Sequence, residues 1–243
     1  MTTMPDFGGS PRAKVVAVLG MHRSGTSWLA GTLQEMGLDL GEVDTRNPFN
    51  AKGNRENRFL MDLHEGVLRS NGGSWRSPRY PNRWRWWQRR KLAKHVRKMN
   101  QMFGLWGFKD PRTLLLLDAW EAQVPELIRV GIYRDPSSVV ASLIARQNDF
   151  TKDEALGLWR IYNERLLAEY ERRRFPVIRF GVSDEELFEQ AQRIAKYVGL
   201  PQPEQSDTFF DKELVHNSPA ANIPIDLAPI WDRLEDARRA SMG

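Results

Sequence analysis

The chain has 243 residues, 41% of them hydrophobic, 28% charged and 10% aromatic. That length and composition suit one large domain with a sizeable core, and they exclude disorder as the main state. Cysteine is absent, which removes disulfide frameworks, thiolate nucleophiles and cysteine-ligated metal sites and suits a reducing, cytoplasmic setting.

The net charge is +5, but it is unevenly spread. From Arg69 to Lys98 there are eleven Lys or Arg residues and no Asp or Glu; removing them leaves 25 basic against 31 acidic residues. The basicity is local, and a local positive patch attracts anions. No apolar run is long enough for a membrane span, and residues 1–14 lack a signal-peptide hydrophobic segment. The four histidines form no His-x-x-x-His pair, so no metal site is expected.

Residues 1–13 read as a mobile tail preceding one domain over 14–243. Val15 to Leu19 is a β-branched apolar run, predicting a buried strand. Beyond Gly25 the period becomes helical through Leu29, Leu33 and Met36, until Gly37 stops it. Thr45 to Gly53 is loop-like, and Glu56 to Leu68 returns to helical spacing. Residues 69–103 form a basic, Trp- and Arg-rich insertion or lid, with a helix from about Trp86 to Met102. A second strand is expected at Leu105 to Phe108, a helix over Leu114 to Gln123, and a third strand at Ile128 to Tyr133. Asp135 and Pro136 open a helix to Gln147, and Lys152 to Arg173 is a longer one. A fourth strand, Val177 to Phe180, precedes a helix whose start, Ser183 with Glu186, has capping-box spacing. A last helix lies near Ile230 to Arg239.

Strands alternating with helices imply an α/β fold, a three-layer domain with a mainly parallel sheet covered on both faces. Ligands in such sheets bind beyond the carboxyl ends of the strands. Gly20-Met21-His22-Arg23-Ser24-Gly25-Thr26-Ser27 stands at the first of those ends. A strand, a loop and a helix start offer backbone N–H groups and a dipole to a phosphate. The Gly-x-x-x-x-Gly spacing is that of a nucleoside-triphosphate loop, yet Thr26 replaces the phosphate-reaching lysine and Arg23 supplies the cation inside the loop. The alternative is a strand–helix turn with no ligand. At the third strand's exit, Arg134, Ser138 and Ser142 recur every four residues and share one face. They hold a second phosphate, or else the serines pack as small residues and Arg134 pairs with a carboxylate.

His22-Arg23-Ser24-Gly25-Thr26-Ser27-Trp28 resembles the 5′-phosphosulfate loop of sulfotransferases that use 3′-phosphoadenosine 5′-phosphosulfate (PAPS). Arg134 and Ser142, eight apart, are similar to the pair with which that family holds the cofactor's 3′-phosphate. Lys109-Asp110-Pro111-Arg112 resembles the Lys-Asp-Pro segment of tyrosylprotein and many bacterial sulfotransferases. Residues 50–57, with Lys52-Gly53 and Glu56-Asn57, resemble a glutamate-bearing segment of the bacterial members.

The resemblance implies a P-loop NTPase-like fold and transfer of a sulfuryl group from PAPS to an acceptor hydroxyl, leaving adenosine 3′,5′-bisphosphate. It implies Arg23, Ser24, Gly25, Thr26 and Ser27 around the 5′ end, and Arg134, Ser138 and Ser142 around the 3′-phosphate. Arg23 and Lys109 would neutralise charge on the leaving oxygen without a metal. Pro111 stands where small-molecule members carry a histidine base, so Glu56 becomes the base, with Asp110 and His64 as fallbacks and His22 as loop support. A first-turn Glu facing a helix dipole is the plainer account of Glu56.

The acceptor is a carbohydrate, lipid, peptide or small-metabolite hydroxyl. Trp75, Tyr80, Trp84, Trp86 and Trp87, interleaved with arginines, would suit an anionic or ring-stacking acceptor or a membrane surface; a specific nucleic acid is not expected. Equally, those tryptophans could fill the core. The rival activity is a P-loop kinase or NTPase, for which Leu114 to Leu117 followed by Asp118 mimics a magnesium-binding strand end. A non-enzymatic anion- or nucleic-acid-binding protein is the third reading.

Overall fold

A computed structural model describes residues 13–45, 53–146, 149–201 and 223–242. The tail over residues 1–12 and most of the 45–53 loop, Lys52 included, lie outside them.

The four apolar runs form strands β1 (Lys14–Leu19), β2 (Leu105–Lys109), β3 (Ile128–Arg134) and β4 (Val177–Phe180). They pair in parallel in the order β2-β1-β3-β4. Val15 to Leu19 are all buried, as expected for a strand covered on both faces. Successive side chains point to opposite faces, and the core divides accordingly. Val15, Ala17 and Leu19 belong to one hydrophobic cluster, Val16 and Val18 to another.

The second cluster is covered by α1 (Thr26–Glu35) and α7 (Asp184–Val198). The first is covered by α2 (Arg58–Ser70), α3 (Trp86–Met102), α4 (Leu117–Gln123), α5 (Pro136–Arg146), α6 (Lys152–Arg172) and α8 (Ala228–Met242). The fold is thus an α/β three-layer domain with a parallel sheet.

Three local expectations need correction. The helix expected over Leu114 to Gln123 divides into a 3₁₀ turn, Pro111–Leu115, and α4. Pro111 does start it, and Asp110 caps the turn by accepting from the Arg112 N–H at 3.1 Å. Leu114 to Leu117 is therefore no strand, and Asp118 pairs with Arg89 at 2.9 Å, so the magnesium-strand likeness fails. Glu56 stands before α2 rather than in its first turn, because Asn57 is the cap and its side chain accepts from the Leu60 N–H at 3.2 Å. The dipole account of Glu56 goes with that.

The Trp- and Arg-rich segment splits its roles. Trp84 is buried, and α3 packs inward through Leu92, Val96 and Met99. Trp86 and Trp87 stay exposed. Arg76 is anchored instead of free, bonded to Asp149 at 2.5 Å and lying 3.9 Å over the Phe150 ring.

From β1 the chain moves to one side of the sheet for β2 and then back across to the other side for β3. The loops leaving the carboxyl ends of these strands diverge around that reversal, which is where a crevice forms. Gly20, Asp110 and Asp135, the first residues past β1, β2 and β3, all sit at its edge.

Candidate functional site

Gly20 leaves β1 where a Cβ would stand 2.4 Å from the Ile132 carbonyl oxygen, so the loop can start there only on glycine. The loop then turns through two left-handed residues, Arg23 (φ 67°) and Gly25 (φ 89°). At Gly25 a Cβ would also collide with the Phe180 ring, at 2.4 Å. Gly25 caps α1 without any side-chain hydrogen bond. Gly25 has no side chain to offer the first turn, and a helix start of that kind can bind an anion. Ser24 is fully buried, and its Oγ is among the buried polar atoms that have no hydrogen-bond partner.

The second junction is built in the same way. The Arg134 carbonyl accepts from the Trp159 indole N–H at 2.9 Å, fixing the end of β3, while its guanidinium lies 5.3 Å from the Phe180 ring centre. The Arg134 Nε is also buried without a partner. Asp135 caps α5 by accepting from the Ser138 N–H at 2.8 Å, which sets the helix phase for Ser142 and, one turn on, Arg146.

These junctions meet. The Arg23 Nε donates to the Ser142 Oγ at 2.8 Å, across 119 residues of chain. Burial, and then the positive charges of Arg146 and Arg134, lower the Arg23 pKa from its ordinary value. Burial likewise lowers that of Arg134, with Asp135 partly offsetting it. Arg23, Arg134 and Arg146 thus bring three guanidiniums close together at this half-buried place.

Beside this cluster, Lys109 ends β2 as a buried cation. Its Nζ bonds Glu56 Oε1 at 2.6 Å and Ser27 Oγ at 3.2 Å, and Ser27 donates to the Asn54 carbonyl at 3.1 Å. Burial lowers the Lys109 pKa from its usual value, with Glu56 opposing that effect. The residue forecast as base and the residue forecast as electrophile are therefore one ion pair touching the phosphate loop.

Asp110 and His64 are occupied elsewhere. Trp120 Nε1, which can only donate, bonds His64 Nε2 at 3.0 Å, so the ring proton lies on Nδ1 and is donated to Asp110 Oδ2 at 2.8 Å. Asp110 Oδ1 accepts from the Arg112 guanidinium at 2.8 Å, and Arg112 bonds Glu65 at 3.1 Å. Burial alone would raise the Asp110 pKa, but Arg112 and His64 hold it well below the carboxylate range. With His64 at 0% exposure and Asp110 at 1%, the pair holds Arg112 from within the core.

A cavity of about 180 Å³ joins these parts. Arg23, Ser27, Glu56, Lys109, Arg112 and Arg146 line it, with His22 and Trp75. Ser24, Gly25, Arg134, Ser138 and Ser142 are not among its lining residues; Ser142 is tied to it through Arg23. His22 packs against Trp75 in a tilted arrangement with ring centres 4.5 Å apart, and its Nε2 has no hydrogen-bond partner among the described residues. Burial, followed by the field of Arg112, pushes its pKa well below the ordinary histidine value, so the ring is neutral at pH 7.

Besides the apolar Met61 and Leu143, two polar lining residues carried no role in the sequence reading. Arg146 merely extends the four-residue series Arg134, Ser138, Ser142 by one step, so its signal was present. Asn54, which acts through its backbone carbonyl, had none.

Searched against solved structures, the chain superposes on the sulfotransferase domain of the olefin synthase from Synechococcus PCC 7002 with a TM-score of 0.56. The match covers 96% of this chain and 98% of that one at 15% identity. The chain has the fold of a sulfotransferase domain. A second structure, the sulfotransferase STF1 from Mycobacterium tuberculosis H37Rv, matches at a TM-score of 0.46 and 16% identity, over 93% of this chain and 77% of that one. No family model and no curated protein matches the sequence.

Proposed function

We propose that the protein transfers a sulfuryl group from PAPS to an acceptor hydroxyl. The observation that carries this reading is the Arg23–Ser142 hydrogen bond, which puts both anion-binding junctions in one place under three guanidiniums. A nucleotide bearing a phosphate at each end needs two such junctions; a nucleoside triphosphate needs only one.

The residues present fit the donor. The partnerless Ser24 Oγ and Arg134 Nε are buried polar atoms awaiting an acceptor, and Gly25 supplies the left-handed turn that opens α1 against the Phe180 ring. When bound, the donor supplies a sulfuryl group activated by its link to a 5′-phosphate. Arg23, Ser24, Thr26 and Ser27 hold that end, and Arg134, Ser138 and Ser142 hold the 3′-phosphate. Arg23 and Lys109 offset the negative charge that grows on the leaving oxygen, each contributing about 3 kcal/mol. Glu56 takes the acceptor's proton. Its contact with Lys109, which also reaches Ser27 of the loop, supports that role. Arg112, paired with Asp110 and Glu65, lines the acceptor end beside Trp75, whose ring supports a ring-stacking acceptor. The cysteine-free composition fits a cytoplasmic setting.

Isothermal titration with adenosine 3′,5′-bisphosphate, adenosine 5′-monophosphate and ATP with magnesium tests this. The bisphosphate is expected to bind at least tenfold tighter than either of the others, without metal. Preference for ATP with magnesium would overturn the reading.

A further inference from the structure

On the side of the first hydrophobic cluster, α3 shows a face that the catalytic reading leaves unused. Its inner residues Leu92, Val96 and Met99 are buried, while Arg90, Lys91, Lys94, Arg97 and Lys98 stand exposed along it, with Arg83 and Arg85 just before it. Among the carboxylates nearby, Asp118 is already paired with Arg89, and Glu42 lines the cavity described next. At the start of the helix Trp86 is 74% exposed and Trp87 is 39% exposed. At its far end Met102 is 57% exposed. Between α3 and the start of α2 opens a cavity of about 450 Å³. Phe59, His95, Met99 and Met102 give it apolar walls, and Lys91, Lys94 and Lys98 line it as well. Large side chains left in water beside a band of cations mark an interaction surface. Lysines covering apolar surface with their stems while their ammonium groups reach outward suit a boundary between an apolar and an aqueous phase.

We propose that the outer face of α3 binds anionic lipid headgroups at a bilayer surface, with the cavity beside Phe59 taking an apolar segment of the same lipid. The cations meet the phosphates, and Trp86 and Trp87 sit at headgroup depth. A single-stranded nucleic acid fits less well. Its platform needs aromatic faces repeated along a cationic track. Here the two exposed tryptophans are adjacent at one end, Trp84 is buried, and the far end offers a thioether and an apolar cavity. The inference is independent of the PAPS reading, since none of these residues lines the candidate active site.

Co-sedimentation of the whole protein with phosphatidylcholine vesicles, with and without 30% phosphatidylglycerol, tests it. Binding is expected only to the anionic vesicles, weakening as salt rises. The triple variant K91Q/K94Q/K98Q is expected to lower the partition coefficient by about a hundredfold. W86A/W87A should lower it about tenfold and abolish the blue shift of tryptophan emission on binding. All these side chains are exposed, so circular dichroism should be unchanged, and adenosine bisphosphate affinity serves as a second control. Equal binding to neutral vesicles, or anionic binding unchanged in the triple variant, overturns the proposal. So does displacement from anionic vesicles by a charge-matched single-stranded oligonucleotide at lower concentration than by free phosphatidylglycerol micelles, which would assign the face to nucleic acid.

Discussion

Arg23 carries the densest set of obligations in the molecule: a left-handed backbone, a bond to Ser142 and two neighbouring guanidiniums. The Arg134 side chain makes no hydrogen bond to the phosphate loop, so it gives the cleaner test. Arg134→Ala is expected to weaken adenosine 3′,5′-bisphosphate binding ten- to a hundredfold, the value of one charge-assisted contact, while leaving adenosine 5′-monophosphate unaffected in titration calorimetry. Glu56→Gln keeps a hydrogen-bond partner for Lys109 but cannot take a proton. Turnover should fall by about 10²–10⁴-fold with bisphosphate affinity retained, as read by single-turnover assay beside calorimetry. At this scale the sequence revealed what is local. Ser138 and Ser142 follow from helical spacing, Arg134 from its place at the end of an apolar strand run rather than on the helix, and Arg23 from a loop that lacks its lysine. The tie between His64, Asp110 and Trp120 could not be seen, because it joins residues 46 and 56 positions apart through side-chain packing. For the same reason the bonds that Asp110 makes to His64 and Arg112 were not visible in the sequence.

Elements were legible wherever an apolar run or a cap is written in consecutive residues. β1 to β4 and α3 follow the hydrophobic pattern, and Ser183 does cap α7, accepting from Glu186 N at 3.2 Å. An equivalent signal at Thr151 passed unnoticed. Its Oγ1 accepts from Glu154 N at 3.2 Å, and Glu154 accepts in turn from Thr151 N at 2.9 Å. Thr151→Ala should therefore cost about 1 kcal/mol in urea unfolding. His95 on α3 sets a pH dependence. Burial, with Lys98 and His64 adding to it, lowers its pKa to about 4. The unfolded imidazole gains a proton below about pH 6.5, the folded one only below about pH 4. Acid therefore favours the unfolded chain through that window, and stability is lost as pH falls from 6.5 to 4. Allowing for partial exposure, the loss at pH 5 is about 1–2 kcal/mol. His95→Gln should remove that share of the difference between urea midpoints at pH 7 and pH 5; an unchanged difference would refute the assignment.

For the whole molecule, a ligand that bridges α1 and α5 is expected to stabilise the native state by mass action. Saturation at a hundred times the dissociation constant corresponds to about 2.7 kcal/mol. In a chain of this length that is a rise in melting temperature of about 5–10 °C in differential scanning fluorimetry with adenosine 3′,5′-bisphosphate. The overall architecture was readable because alternating strand and helix patterns admit few arrangements. Which strand lies in the middle was not readable, since the order β2-β1-β3-β4 depends on pairings between distant segments.

That central place of β1 has a cost during synthesis. Lys14 pairs with Leu105 and Val16 with Ile128, so β1 has no strand neighbour until about ninety further residues exist. At 5–20 residues per second, the apolar run VVAVL waits unpaired for about 5–20 s. During that time its hydrogen-bonding edges and both its faces are open to any other nascent chain. A fragment ending before β2 should accordingly aggregate or be held by chaperones, whereas one that includes β3 can close the sheet around it.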